Sequence, residues 1–145
     1  MASSFTALTY FDTSVVLSLH LADVHTGQVT AKVSALRGSF AVSAWTRAEI
    51  ASALGIMVRR RDISAMNAHA AFDDMQAFCD DAQTLPVTAA AYDLATRWML
   101  DFDLGLRAGD ALHGAICKLN KAQLFSADAI LVRALRKLGQ KPLGV

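Results

Sequence analysis

Short apolar runs that stop at polar turns alternate along the chain with longer segments whose apolar residues recur at helical spacing. Leu8-Thr9-Tyr10-Phe11 favours a strand and ends at Asp12-Thr13-Ser14, three residues that favour helix starts, before Val15-Val16-Leu17 resumes; strand, polar turn and helix are expected. Phe40-Ala41-Val42 repeats the pattern. Ser43 follows it, and from Trp45 to about Arg61 the apolar positions Ile50, Leu54, Met57 and Val58 share a helical side. The next helix is expected from Ser64 to about Ala82, with Met66, Ala70, Met75 and Phe78 facing inward. Leu85-Pro86-Val87 is then a brief extended piece whose proline suggests a sheet edge or a strand end. Ala89 to Leu100 is alanine-rich with Leu94, Trp98 and Met99 on a common side. A polar turn carrying Gly105 and Gly109 leads into a helix opened by Asp110-Ala111-Leu112-His113 and continued by Ile116 and Leu119. Gln123-Leu124-Phe125 reads as a fourth strand ending at Ser126-Ala127-Asp128, and a last helix from Ile130 to Leu138 closes at Gly139, a good C-cap.

This alternation predicts an α/β fold, a three-layer sandwich with a central, mainly parallel sheet of four or five short strands flanked by helices. At 145 residues the chain has the size of one domain, 1–145, with one core. Ligands of such sheets bind outside the carboxyl ends of the strands, where strand order reverses.

Composition removes several function classes. With 54% hydrophobic and 19% charged residues and 2 prolines, no stretch is biased towards disorder. The first dozen residues lack a secretion signal, and no run approaches the roughly 20 apolar residues of a membrane span, so a cytoplasmic protein without membrane contact is expected. Cys79 and Cys117 have no partner at metal-ligand spacing and read as reduced, buried thiols. A net charge of +1 gives no broad positive field, so any nucleic acid must be held locally. The visible basic cluster is Arg59-Arg60-Arg61, backed by Lys118, Lys121, Arg133, Arg136 and Lys137; it is either a solvated helix end or a phosphate contact.

The candidate chemistry lies in four acids. Asp12 follows the first predicted strand, Glu49 lies in the helix after the second, and Asp128 follows the fourth; these three fall on one edge. Asp110 opens the helix before the fourth strand, within reach of that edge. Carboxylates brought together raise one another's pKa unless a cation neutralises them, and hard oxygen ligands favour Mg²⁺ or Mn²⁺. A metal held so lowers the pKa of bound water and steadies phosphoryl charge. Each acid also has a plainer reading as a helix cap, including a capping box in which Glu49 reaches back from Thr46-Arg47-Ala48-Glu49. His113, three residues after Asp110 on the same helical side, contacts substrate, orients an acid or is a buried structural residue, the last weighing most. Trp45 and Trp98 read as core.

Tyr10-Phe11-Asp12-Thr13-Ser14 resembles the opening of a PIN domain, Ser43 through Trp45-Thr46-Arg47-Ala48-Glu49-Ile50 its second motif, and Leu106-Arg107-Ala108-Gly109-Asp110-Ala111-Leu112-His113 its third. Phe125-Ser126-Ala127-Asp128, the following helix and Leu138-Gly139 resemble the ending of the VapC-type ribonuclease toxins in that family. The resemblance covers nearly the whole chain. It implies a metal-dependent endoribonuclease, the toxin of a toxin–antitoxin pair, acting on a structured RNA such as transfer or ribosomal RNA. It further implies that Asp12, Glu49, Asp110 and Asp128 are catalytic and bind one or two Mg²⁺ or Mn²⁺ ions, with Asp12 and Asp110 as main ligands. Thr13, Ser14 and Ser126 would support the site, Ser126 standing where the family often has threonine. A homodimer and a VapB-like antitoxin bound across the helices of the first 80 residues are implied too.

Two other readings stay open. Asp12-Thr13-Ser14 after a first strand resembles the aspartyl nucleophile of haloacid dehalogenase phosphatases, but that class expects an acid where Ser14 stands. A catalytically silent PIN-fold binding module would have the same shape, although all four expected acids are present.

Overall fold

The computed structural model describes residues 7–145. The reading of the first dozen residues as lacking a secretion signal, and of 1–145 as one domain, falls partly on residues 1–6, outside the described ones.

Four strands, β1 (Leu8–Phe11), β2 (Ser39–Ser43), β3 (Gln83–Leu85) and β4 (Gln123–Phe125), form one sheet in the order β3-β2-β1-β4 with every pair parallel. Seven helices connect and cover them: α1 (Thr13–His20), α2 (Thr26–Ala35), α3 (Ala44–Arg59), α4 (Ala65–Asp80), α5 (Ala89–Met99), α6 (Ala108–Leu119) and α7 (Ala129–Lys137). Side chains alternate across the strands. Tyr10, Ala41 and Leu124 pack against α5, α6 and α7, whereas Phe11, Val42 and Phe125 pack against α1 to α4. This is the expected sandwich, with an all-parallel sheet. Leu143 adds a parallel bridge beside Phe125.

Three details differ from the sequence pattern. α2 has no counterpart in it, because only Val29 of this helix is fully buried and its β-branched, polar face carries little helical signal. β3 ends where the pattern places the start of the extended piece; Pro86 follows the edge strand rather than lying within it. In α4 the buried face is Ala68, Met75 and Cys79, and Met66 and Ala70 are exposed. Small Ala68 and Cys79 occupy the core-facing stripe, so the larger Met66 is the misleading residue. Among the described residues no helix is long and apolar enough to cross a membrane. Cys79 and Cys117 are buried and free, and Trp45 and Trp98 pack against the α5–α7 side of the core.

The chain runs from β1 to β2 to β3 in one direction, then crosses to β4 on the other side of β1. Strand order therefore reverses between β1 and β4, where the Asp12 amide bonds to the Phe125 carbonyl at 3.2 Å.

Candidate functional site

Asp12 caps α1 at this reversal point. Its Oδ1 accepts from the Val15 amide at 3.2 Å and from Ser14 Oγ at 2.6 Å, and its Oδ2 accepts from Ser126 Oγ. The side chain is only 4% exposed. Burial pushes its carboxyl up, against the opposing pull of His113, Ser126, Ser14 and the Val15 amide. Ser14 and Ser126 also brace the two turns against each other: the Ala127 amide donates to Ser14 Oγ and the Asp128 amide to Ser126 Oγ, both at 2.9 Å.

Asp128 caps α7, its Oδ1 accepting from the Ile130 and Leu131 amides at 2.9 and 3.2 Å. The capping reading therefore holds for Asp12 and Asp128, alongside their place at the strand ends. It does not hold for the other two. The box at the start of α3 is formed by Ser43 and Thr46, and Glu49 sits one turn further along. Asp110 lies in the first turn of α6, behind Arg107 as the N-cap residue.

Glu49 is held elsewhere. Its Oε1 accepts from Thr13 Oγ1 at 2.7 Å and from His113 Nε2. Burial opposes its charge, but the bonds from His113 and Thr13 outweigh that and hold the carboxyl below its ordinary range. His113 is 2% exposed, and its Nδ1 lies 2.8 Å from the Tyr10 hydroxyl, which also touches Ser43 Oγ at 2.7 Å and Thr46 Oγ1 at 3.2 Å. A proton on Nε2 satisfies the whole chain: Nε2 donates to Glu49, and Nδ1 accepts from Tyr10. His113 is buried, as its structural reading has it, and the bond from its Nε2 also lets it orient an acid. Sequence alone gives Tyr10, Ser43 and Thr46 no place in the site, because nothing in their spacing joins residues more than 30 positions apart.

Asp110 has the fewest partners. Burial, then the charge of Asp128, and then Asp12 and Glu49 push its carboxyl up to about 6 against the pull of His113. Glu49, Asp110 and Asp128 line one cleft with Arg107, Gly109 and Ile130, and Asp12 lies buried beside it. Among the described residues no three acidic, histidine or cysteine side chains stand together closely enough to hold a metal ion as they are placed. Nor does any lysine or arginine form an ion pair with the four acids, whose one such contact is Glu49 with His113. Carboxylate oxygens without a Lys or Arg partner are the donor type a hard divalent cation takes, and burial together with the neighbouring acids lifts one of these carboxyls to about 6. Among the described residues, the oxygens in this cleft without a hydrogen-bond partner are Glu49 Oε2, Asp128 Oδ2 and both of Asp110.

Of the basic residues, Arg133 and Arg136 line a second cleft with Lys32, Ser126, Ala127 and Ala129, separate from the cleft of the acids. Arg59-Arg60-Arg61 lies at the other end of α3, with Arg60 about 16 Å beyond Glu49 at 1.5 Å per residue.

No curated protein matches this sequence. Solved structures share its fold. VapC20 of Mycobacterium tuberculosis, a Sarcin-Ricin loop cleaving toxin, superposes with a TM-score of 0.70 at 18% identity over 87% of this chain and 94% of its own. VapBC-5 of Mycobacterium tuberculosis, a member of the VapBC family of toxin-antitoxin systems, gives 0.67 at 17% over 96% and 99%. FitAcB from Neisseria gonorrhoeae gives 0.66 at 14% over 94% and 95%. A family model described as PIN domain matches residues 9–137, a span that contains the whole sheet except Leu8 and all four acids of the cleft, and the chain belongs to the PIN domain family.

Proposed function

We propose that this chain is a divalent-metal-dependent endoribonuclease and the toxin of a toxin–antitoxin pair. The observation that supports the reading is one cleft lined by Glu49, Asp110 and Asp128 beside the β1–β4 turn that holds Asp12, where burial and the neighbouring acids lift Asp110 to about 6. Asp110, Asp128 through Oδ2 and Glu49 through Oε2 would hold Mg²⁺ or Mn²⁺, with Asp12 completing the set from the buried side. A cation bound there supplies Lewis acidity, lowering the pKa of water and offsetting phosphoryl charge.

The chain's own residues orient and neutralise. Ser14 and Ser126 hold both oxygens of Asp12, which fixes this carboxyl in place and opposes the upward push of its burial. Arg107, at the cleft wall, is suited to a phosphate oxygen of the substrate. Arg133 and Arg136, in a separate cleft beside Ser126 and Ala127, would add a local seat for RNA phosphates on a chain of net charge +1. A structured RNA, transfer or ribosomal, is the substrate class; the ribosomal option draws on the Sarcin-Ricin loop cleavage by the structurally similar VapC20. A VapB-like antitoxin is the partner, in keeping with the similar folds of VapBC-1 from nontypeable Haemophilus influenzae and of FitAB. The apolar groove of Leu54, Val58, Ala68 and Phe72 between α3 and α4 suits its helix. A homodimer and a cytoplasmic location complete the reading. The phosphatase alternative loses its support, since Ser14 donates to Asp12 where a second acid would stand.

The test is cleavage of total cellular RNA by the purified protein with Mg²⁺, Mn²⁺ or EDTA, beside folded Asp12→Ala and Asp110→Asn proteins. Discrete fragments are expected with metal alone, and neither variant should produce them. Cleavage that survives both substitutions would put the site elsewhere, and no cleavage by antitoxin-free protein would favour a silent binding module.

A further inference from the structure

We propose that His113, Tyr10 and Gly109 are positioning residues that divide the two oxygens of Glu49, fixing Oε1 to the protein and leaving Oε2 alone for the cation. The inference rests on the metal-site reading above and adds residues that reading does not contain.

Oε1 of Glu49 receives two donors, Thr13 Oγ1 at 2.7 Å and His113 Nε2, which fills its lone pairs. His113 is itself held from behind by the Tyr10 hydroxyl at 2.8 Å, and that hydroxyl by Ser43 and Thr46. Tyr10, Ser43 and Thr46 are fully buried and His113 nearly so, so water does not compete for these bonds. The imidazole is thus a strut between the sheet and Glu49, as outer partners orient metal ligands elsewhere.

Oε2 points at Gly109. A Cβ there would lie 2.8 Å from Oε2 and 3.6 Å from Glu49 Cδ. A free glutamate would swing aside, whereas this one, held at Oε1 by Thr13 and His113, can yield only by turning Oε2 away from its present direction. Gly109 and His113 are four residues apart on α6, one turn, so they present adjacent positions to α3 with Asp110 beside them. One helix face therefore carries the space for Oε2, the strut on Oε1 and a neighbouring acid. The consequence is that Glu49 offers the cation one oxygen, in one direction.

The experiment is calorimetric titration of the metal-free full chain with Mn²⁺. His113→Leu and Gly109→Ala are each expected to weaken Mn²⁺ binding about tenfold or more. His113→Gln, whose Nε2 can still donate to Glu49, should keep most of the affinity. In a Glu49→Ala background, His113→Leu and Gly109→Ala should cause no further loss. Because the added Cβ in Gly109→Ala also meets Trp45 at 3.4 Å, circular dichroism and a thermal melt of this variant accompany the titration, and only loss of binding in folded protein counts for the proposal. An undiminished effect of His113→Leu without Glu49, or full affinity in folded His113→Leu, overturns the proposal. A second measurement needs no metal. The sheltered His113 ring proton should give a slowly exchanging downfield NMR signal that moves or vanishes in Glu49→Ala; a signal indifferent to Glu49 also overturns it. Wild-type protein that binds no Mn²⁺ while this signal responds to Glu49 would sink the metal reading and leave the strut standing.

Discussion

Asp110 combines a half-buried carboxyl with no hydrogen-bond donor and three acidic neighbours, so in the metal-free protein its charge is a liability. Its folded pKa of about 6 exceeds the ordinary 3.8, so the folded chain binds more protons than the unfolded one between those values. The stability this contributes is full below about pH 3.8 and is lost as pH rises through 6. Metal-free Asp110→Asn should therefore be more stable than wild type by ~1 kcal/mol at pH 8, after discounting for solvent screening. The gap should narrow at pH 5, and thermal melts at the two pH values would measure it; an equal gap at both would refute the assignment. Saturating Mn²⁺ should reverse the order by stabilising the wild type alone. At this scale the position of two acids was legible, because Asp12 directly follows β1 and Asp128 lies three residues past the end of β4. Their supports were only partly so: Ser14 and Ser126 lie within the motifs, whereas the Tyr10, Glu49 and His113 contacts join positions that only the folded sheet brings together.

Helix ends explain part of the basic run that sequence alone left ambiguous. α3 stops with the Arg61 amide on the Val58 carbonyl at 3.0 Å and the Asp62 amide on Met57 at 2.9 Å, a paired closure that puts Arg61 at φ 65°. Glycine suits that left-handed position, as it does at Gly139, where the sequence pointed to a cap and φ is 81°. Arg61→Gly should raise stability by about 1 kcal/mol, or ~3 °C in Tm for a chain of this size; a fall in Tm would mean that the arginine side chain makes stabilising contacts of its own. Element types were mostly readable because long periodic stretches such as α3 and α6 carry their pattern openly. Faces were less so, since α4 turns Ala68 and Cys79 inward and Met66 outward, and α2 buries too little to leave a periodic trace.

The sheet as a whole sets where charge is useful. Lys32, Arg133 and Arg136 stand beside the β4 turn, whereas Arg59-Arg60-Arg61 lies at the far end of α3. In RNA-binding titrations across salt concentration, Arg133→Ala with Arg136→Ala should lower the log–log slope by about 1.4, taking ~0.7 for each phosphate no longer neutralised. The triple alanine variant of Arg59, Arg60 and Arg61 should change it less; the reverse order would move the RNA path to the α3–α4 end. The layered class was legible from the alternation of elements, but strand order was not, because which edge of β1 receives β4 is a matter of three-dimensional packing. That order has a consequence during synthesis. A nascent chain that has emerged as far as Gly105 carries Asp12 and Glu49 but neither Asp110 nor Asp128, and β1 still lacks its neighbour β4. A product stalled there holds two of the four acids of the proposed metal site and lacks the strand beside β1, so it is expected to have no metal-dependent activity.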